Sequence, residues 1–230
     1  MIAKFEGGYH GSHEFVEISV RPQKHLLDPG GPTSIPEFPG QPASIAANVL
    51  TLPYNDLEQS ASLIEQYRDD LACVVMEPIV SNFGYVPANL QFLEGIRTLT
   101  KQHNIVLIFD EVQSARVGSG GAQERFSVIP DITTLGKTIG GGMAVGAFGG
   151  RQDIMELYGG ALGGPVIPHA GTFNANPMTM VAGETVLESL DTSVYERLDH
   201  LGDILRIKLR TVFEELGVDA QITGVSSFFG

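Results

Sequence analysis

Asp110 and Lys137 stand where a chain can do chemistry. Asp110 follows the apolar run Ile105 to Phe109 in N-I-V-L-I-F-D-E-V-Q, and Lys137 follows Gly136 in P-D-I-T-T-L-G-K-T-I-G-G-G. A continuous apolar run of that length reads as a parallel strand buried on both faces. Ligands of open α/β sheets bind beyond the carboxyl ends of such strands, and Asp110 falls there. Lys137 is flanked by Gly136 and by Gly140, Gly141 and Gly142, which lack side chains and let the backbone approach a flat ligand closely.

A carboxylate and an amine that reach one ligand from opposite sides match the needs of pyridoxal phosphate (PLP). The carboxylate keeps the ring nitrogen protonated, so that the ring acts as an electron sink, and the lysine holds the aldehyde as a Schiff base. A strand ending in Asp-Glu also serves nucleotide hydrolases, and Gly136-Lys137-Thr138 partly matches their phosphate loop. That loop requires G-x-x-x-x-G-K-[ST], and Asp131 takes the place of its first glycine. The order is also wrong, because the phosphate loop normally precedes the Asp-Glu strand. An ATPase is therefore the weaker reading.

Further motifs run through nearly the whole chain: K-F-E-G-G-Y-H-G at Lys4 to Gly11, M-E-P-I-V-S-N-F-G at Met76 to Gly84, I-F-D-E-V-Q at Ile108 to Gln113, G-G-A-Q-E at Gly120 to Glu124, the Pro130 to Gly150 segment, and H-A-G-T-F-N-A-N-P at His169 to Pro177. In order and spacing the chain resembles the class III PLP-dependent aminotransferases, most closely the branch of glutamate-1-semialdehyde 2,1-aminomutase. The resemblance implies an α/β fold: the large domain of a fold type I, aspartate aminotransferase-like PLP-dependent transferase, incomplete here, with a mostly parallel sheet and helices on both faces.

It also implies roles. Tyr9 lies against the cofactor ring, although read alone it would simply pack its loop. Val112 packs on the ring face and Gln113 approaches the ring hydroxyl. Asp110 pairs with the ring nitrogen, and Lys137 is the covalent anchor. Ser81 and Asn82 match the cofactor-side loop, and Arg116 matches the family arginine on the substrate side. Thr172 matches the threonine that reaches the cofactor phosphate of a neighbouring subunit, which implies a homodimer. His10 is placed with the cofactor group. Its spacing from His13 is too little to specify a metal, and no metal site is assigned. Glu77 is open to two readings, a structural anchor or a substrate-side group, because a buried carboxylate needs partners in either case. Glu111 reads as structural. The chain departs from the branch after Gln113, where S-A-R replaces Gly-Phe-Arg, and at Ala175, where the family has glycine.

The elements that must position these residues follow from pattern. Met1 to Phe5 reads as a strand, and Gly7 to Gly11 as the loop after it. Arg21 to Pro53, which includes Asp28-Pro29-Gly30-Gly31-Pro32, reads as one long irregular stretch. Asn55 or Asp56 caps a helix carrying Leu57, Ala61, Ile64 and Leu71 on one face. Cys73 to Val80 reads as one buried strand delivering Glu77, and Asn82-Phe83-Gly84 as a turn. A helix over 88–103 leads back to the Ile105 strand, and this β-α-β alternation predicts a parallel sheet. Ala144 to Gly149 reads as a strand and Gly159 to Pro168 as a glycine-rich loop. Pro177 starts a helix running to Leu190. Ser193 to Glu196 makes a capping box for a second, longer helix with an apolar stripe of Val194, Leu198, Leu201, Leu205, Leu209, Val212 and Leu216, and Gly217 ends it. The division expected is a large PLP-binding domain over 1–190 and the start of a small domain over 191–230. The resemblance implies that the family's N-terminal part, with its Gly-Ser/Thr-Glu-Ala phosphate loop, precedes Met1 and that more of the small domain follows Gly230.

Composition agrees. The 230 residues are 43% hydrophobic, and the formal charge of −13 argues against nucleic acid or an anionic membrane as partner. No apolar run is long enough to span a membrane. No signal peptide is recognisable at Met1, so a cytoplasmic protein is expected. The lone Cys73, in an apolar run, reads as an inert buried thiol.

The expected activity is transamination between an amino acid or amine and a keto or aldehyde acceptor. Intramolecular transfer, as in the aminomutase, uses the same residues. A catalytically inactive fragment acting as a binding protein is the reading from another class.

Overall fold

The computed structural model describes residues 1–23, 31–159 and 164–230. Along the chain come β1 (Ile2–Phe5), the short α1 (Ala43–Ala46), β2 (Val49–Leu52), α2 (Leu57–Tyr67), β3 (Cys73–Met76), the antiparallel pair β4 (Ile79–Val80) and β5 (Val86–Pro87), α3 (Leu90–Gln102) and β6 (Val106–Asp110). After these follow α4 (Gly121–Phe126), β7 (Ile132–Gly136), β8 (Gly146–Gly150), α5 (Gln152–Gly159), α6 (Pro177–Ser189), α7 (Thr192–Leu216) and a closing antiparallel pair, β9 (Gly224–Val225) and β10 (Phe228–Phe229). The main sheet has the order β2-β1-β3-β6-β7-β8, parallel throughout except for β8, which runs antiparallel to β7.

Strand alternation decides what each face carries. Leu107 and Phe109 of β6 are fully buried in a core with Phe5 and Met76 of neighbouring strands, Ile64 of α2, and Phe92, Leu93 and Ile96 of α3. Each such side chain contributes roughly 2 kcal/mol of burial. Phe5, Tyr54 and Phe92 meet edge to face within this core. The alternate residues, Ile108 and Asp110, therefore emerge on the opposite face, where they line a cleft. Because β1, β3, β6 and β7 are adjacent and parallel, their carboxyl ends open at one edge of the sheet.

Asp131, 2% exposed, ties this edge region together. Its carboxylate accepts two hydrogen bonds from Arg97 of α3, one from Arg151 beyond β8 and one from the Leu107 backbone N–H. Burial works against its ionised form, but these donors prevail and hold its carboxyl below the ordinary value.

Several sequence expectations are corrected. The strand expected over Cys73 to Val80 breaks in two at Glu77-Pro78, since proline has no N–H to continue the ladder. The irregular stretch to Pro53 contains α1 and β2, the latter an edge strand whose four residues are all buried. Residues 24–30, and 160–163 of the expected Gly159 to Pro168 loop, lie outside the described residues. Leu71 is buried, but beyond the end of α2. The cap of α7 is Asp191, whose carboxylate accepts from Val194 N–H, while Ser193 lies inside the helix and donates to Asp191. Glycine C-capping at Gly217 occurs as expected, in the left-handed conformation. The apolar stripe of α7 is not core: Leu201, Leu205, Val212 and Leu216 are exposed.

Candidate active site

The parallel strand ends deliver their loops into one cleft of about 1850 Å³. From β1 come Tyr9 and His10, from β3 Glu77, from β6 Asp110, Val112 and Gln113, and from β7 Lys137.

Asp110 is 8% exposed and fully engaged at its rear. Oδ1 accepts from the Val112 N–H (3.1 Å) and from Thr134 Oγ1 (3.2 Å), and Oδ2 lies 2.8 Å from His10 Nδ1. Burial opposes the charged form, but the His10 hydrogen bond, its positive charge when protonated, and the Val112 and Thr134 donors outweigh that cost. The carboxyl is thus held below its ordinary value. His10 is itself buried, and its Nε2 has no hydrogen-bond partner among the described residues. With a carboxylate on Nδ1, the tautomer that donates there leaves Nε2 as a bare acceptor.

Lys137 opens a 3-10 turn (Lys137–Gly140) directly after β7, with φ 48 in the left-handed region. A lysine held there is locally strained, and such strain clusters at functional sites. Its side chain is exposed, with no hydrogen bond or ion pair among the described residues. Helix α6 buttresses the turn at very short range. A Cβ on Gly183 would come within 2.3 Å of the Ile139 carbonyl oxygen, and one on Gly141 within 2.2 Å of the Ala182 carbonyl oxygen.

Glu77 is 4% exposed and binds protein. Oε1 accepts from the Tyr9 N–H (2.9 Å), and Oε2 accepts from the N–H (3.2 Å) and hydroxyl (2.9 Å) of Ser81. Ser81 Oγ accepts in turn from Gln113 Nε2. Glu111 is fully buried, and four donors saturate it: Ser114 Oγ, the Ala122 and Gln123 N–H groups at the start of α4, and Gln123 Nε2. This is the structural part expected of it.

The cleft thus brings together Tyr9, His10, Glu77, Asp110, Val112, Gln113 and Lys137. Ser81 stands behind its wall, joined to Glu77 and Gln113, and Asn82 occupies the exposed turn after β4 without lining the cleft. Arg116 is not brought in: it is exposed on the 3-10 turn Ser114–Val117, with Nη2 3.4 Å from Ser227 Oγ. Thr172 is exposed on the segment before α6 and lies outside the lining, although Phe173 to Asn176 contribute to it. Ala175, in the family's glycine position, adopts φ 52. Thr134 was not identified from sequence. Its contact with Asp110 follows from the register that sets the two opposite each other on β6 and β7, and a lone strand threonine carries no signal of that. No group of three or more His, Cys, Asp or Glu suited to a metal ion occurs among the described residues, and no helix among them is long and apolar enough to cross a membrane.

A parallel sheet with one antiparallel edge strand, an aspartate at one strand end and a lysine turn at the next define the class: the chain belongs to the class III aminotransferase family, whose model matches residues 1–230. Members of this family are PLP-dependent enzymes. Among curated proteins, it is 42% identical over 230 residues to a glutamate-1-semialdehyde 2,1-aminomutase from Methanothermobacter thermautotrophicus, a match covering 99% of this chain and 52% of that protein. Among solved structures, an omega-transaminase from Sphaerobacter thermophilus matches with a TM-score of 0.94 at 44% identity, over 99% of this chain and 52% of that one. A structure described as a transaminase with PLP bound matches with a TM-score of 0.92 at 36% identity, over the same shares. The chain spans about half the length of the relatives it matches.

Proposed function

We propose that the chain carries the ring-binding part of a PLP-dependent transaminase, which moves an amino group between an amino acid or amine and a keto or aldehyde acceptor. The observation that carries this reading is the convergence of Asp110 and Lys137, from the ends of neighbouring parallel strands, on one cleft. When bound, PLP supplies an aldehyde and a protonated ring that accepts electrons.

The donor set suits that group. Asp110 presents an ionised carboxylate, braced from behind by His10, Val112 and Thr134, as a ring N–H requires. Tyr9, 39% exposed, offers a ring face to stack on, with Val112 and Gln113 nearby in the lining. Lys137 Nζ has no competing partner among the described residues and would hold the aldehyde. Displaced by an incoming amine, Nζ would act as general base and then general acid, moving the proton from the carbon bearing the substrate's amino group to a carbon of the bound group.

Thr172 suits a phosphate held from a second copy of the chain. Its neighbours Val166, Phe173, Met178 and Val181 are exposed apolar residues of the kind that a homodimer interface buries. On this reading residues 1–190 are the large domain, 191–230 begin the small one, and the protein works in the cytoplasm. Intramolecular amino transfer is the second reading, favoured by the name of the Methanothermobacter relative. It uses the same residues.

The test is an absorbance titration of the purified chain with PLP, followed by borohydride reduction and peptide mapping. Label at Lys137, absent in Lys137→Ala, is the expected result. A folded sample without specific label overturns the reading.

A further inference from the structure

Glu77 lies in the cleft wall, and its donors among the described residues belong to two chain segments far apart in sequence. Oε1 takes the Tyr9 N–H of the loop after β1, and Oε2 takes both the N–H and the hydroxyl of Ser81 in the turn after β4. The strand end that carries Glu77 is fixed by the Tyr54 hydroxyl, 3.1 Å from the carbonyl oxygens of both Glu77 and Pro78. Two acceptor oxygens are needed to hold two segments, which a carboxylate has and a carboxamide lacks.

The Ser81 hydroxyl carries one proton, and its contact with the carboxylate uses that proton, since a carboxylate only accepts. Ser81 Oγ can then only accept from Gln113, so the nitrogen end of the Gln113 amide faces Ser81 and the rest of the amide faces the cleft. We propose that Glu77 is a positioning residue: it sets the Tyr9 loop against the cleft and, through Ser81, fixes which end of the Gln113 amide is offered to a bound ring. This rests on the transaminase reading for its function, though the clamp itself does not.

Glu77→Gln keeps the shape but replaces one acceptor with a donor. That donor faces Tyr9 N–H or Ser81, and in the second case it reverses the relay to Gln113. Ser81→Ala cuts the relay and leaves the Tyr9 clamp intact. In the ligand-free full chain, Glu77→Gln should speed hydrogen exchange at the Tyr9 or Ser81 amide about tenfold, the loss of one hydrogen bond, and Ser81→Ala should leave Tyr9 exchange unchanged. In the chain loaded with PLP, Ser81→Ala should move the pH midpoint of the visible band by about one unit while retaining label at Lys137, and Glu77→Gln should do the same where it is the Ser81 amide, not the Tyr9 amide, that exchanges faster. The two shifts should not add in the double variant, because they interrupt one relay. Unaltered amide exchange in Glu77→Gln overturns the clamp. An unmoved midpoint in both single variants, or additive shifts, overturns the relay. A wild-type chain that takes up no PLP overturns the transaminase reading instead, and the exchange rates still decide the clamp.

Discussion

His10 Nδ1 and Asp110 Oδ2 are 2.8 Å apart and join the loop after β1 to the end of β6, across a separation of 100 residues. The contact holds the Asp110 carboxylate charged despite its burial. The sign follows from that lowered value. The stabilisation is fully present above the unfolded-chain value near ~4 and is lost as pH falls through the lower folded value. In His10→Ala the carboxyl value rises, so the acid limb of PLP binding should move to higher pH, with affinity at neutral pH about tenfold weaker for the lost charge-assisted contact. Absorbance titrations at a series of pH values check both effects; an unmoved acid limb would remove His10 from the support of Asp110.

Lys137 and Ala175 both occupy the left-handed region, which costs a residue with a Cβ roughly 1 kcal/mol relative to glycine. Lys137→Gly should therefore be about 1 kcal/mol more stable to urea than Lys137→Ala, with both variants losing the borohydride label. Ala175→Gly should stabilise by a similar amount and keep the label. Equal midpoints for glycine and alanine at either position would show that the backbone there is not strained.

Gly183→Ala sets two effects against each other. Alanine favours a helix interior by about 1 kcal/mol, but its Cβ would stand 2.3 Å from the Ile139 carbonyl oxygen, an overlap that costs more, about 2–3 kcal/mol. The variant should thus be less stable by roughly 1–2 kcal/mol in urea melts and should give less label at Lys137, as α6 is pushed off the turn. A stabilised variant would mean that helix and turn separate freely.

Lys4 is fully buried on β1, with Nζ 2.6 Å from the Ile18 carbonyl oxygen and 3.1 Å from that of Phe5. Burial pushes its amine down to about 8, against the opposing pull of Glu77, Glu37 and Glu6. Between about 8 and the unfolded value near 10.5 this amine binds more protons in the unfolded chain, so its contribution to stability should rise with pH across that window, by up to about 3 kcal/mol. The raised Cys73 thiol and Tyr54 hydroxyl pull the other way. Lys4→Met should lack that contribution of the amine, so the stability difference between wild type and variant should change across the window. Urea midpoints of wild type and Lys4→Met between these two pH values check it, and parallel profiles would mean that the amine is solvated.

Much of the site was legible because its chemistry rides on strand ends. The apolar run before Asp110 announced a buried strand, and a buried strand in an α/β alternation presents its last residue to a ligand. Lys137 among its glycines announced a tight turn, which the structure contains. Residue type and spacing also carried the family, as the match over residues 1–230 shows. Element boundaries were less legible where one residue decides them. Pro78 split an apparently continuous strand, and Asp191 won the cap from Ser193 because its carboxylate reaches the Val194 N–H.

Partnership was the part that only the tertiary structure decided. Thr134 meets Asp110 through sheet register, Arg116 turns to Ser227, and Glu77 spends both oxygens on Tyr9 and Ser81. Local sequence sets what a residue can donate or accept, and hence where a strand, turn or cap can form. Which distant group satisfies a buried carboxylate is set by how strands align and loops close over them, and those contacts span separations that no local pattern encodes.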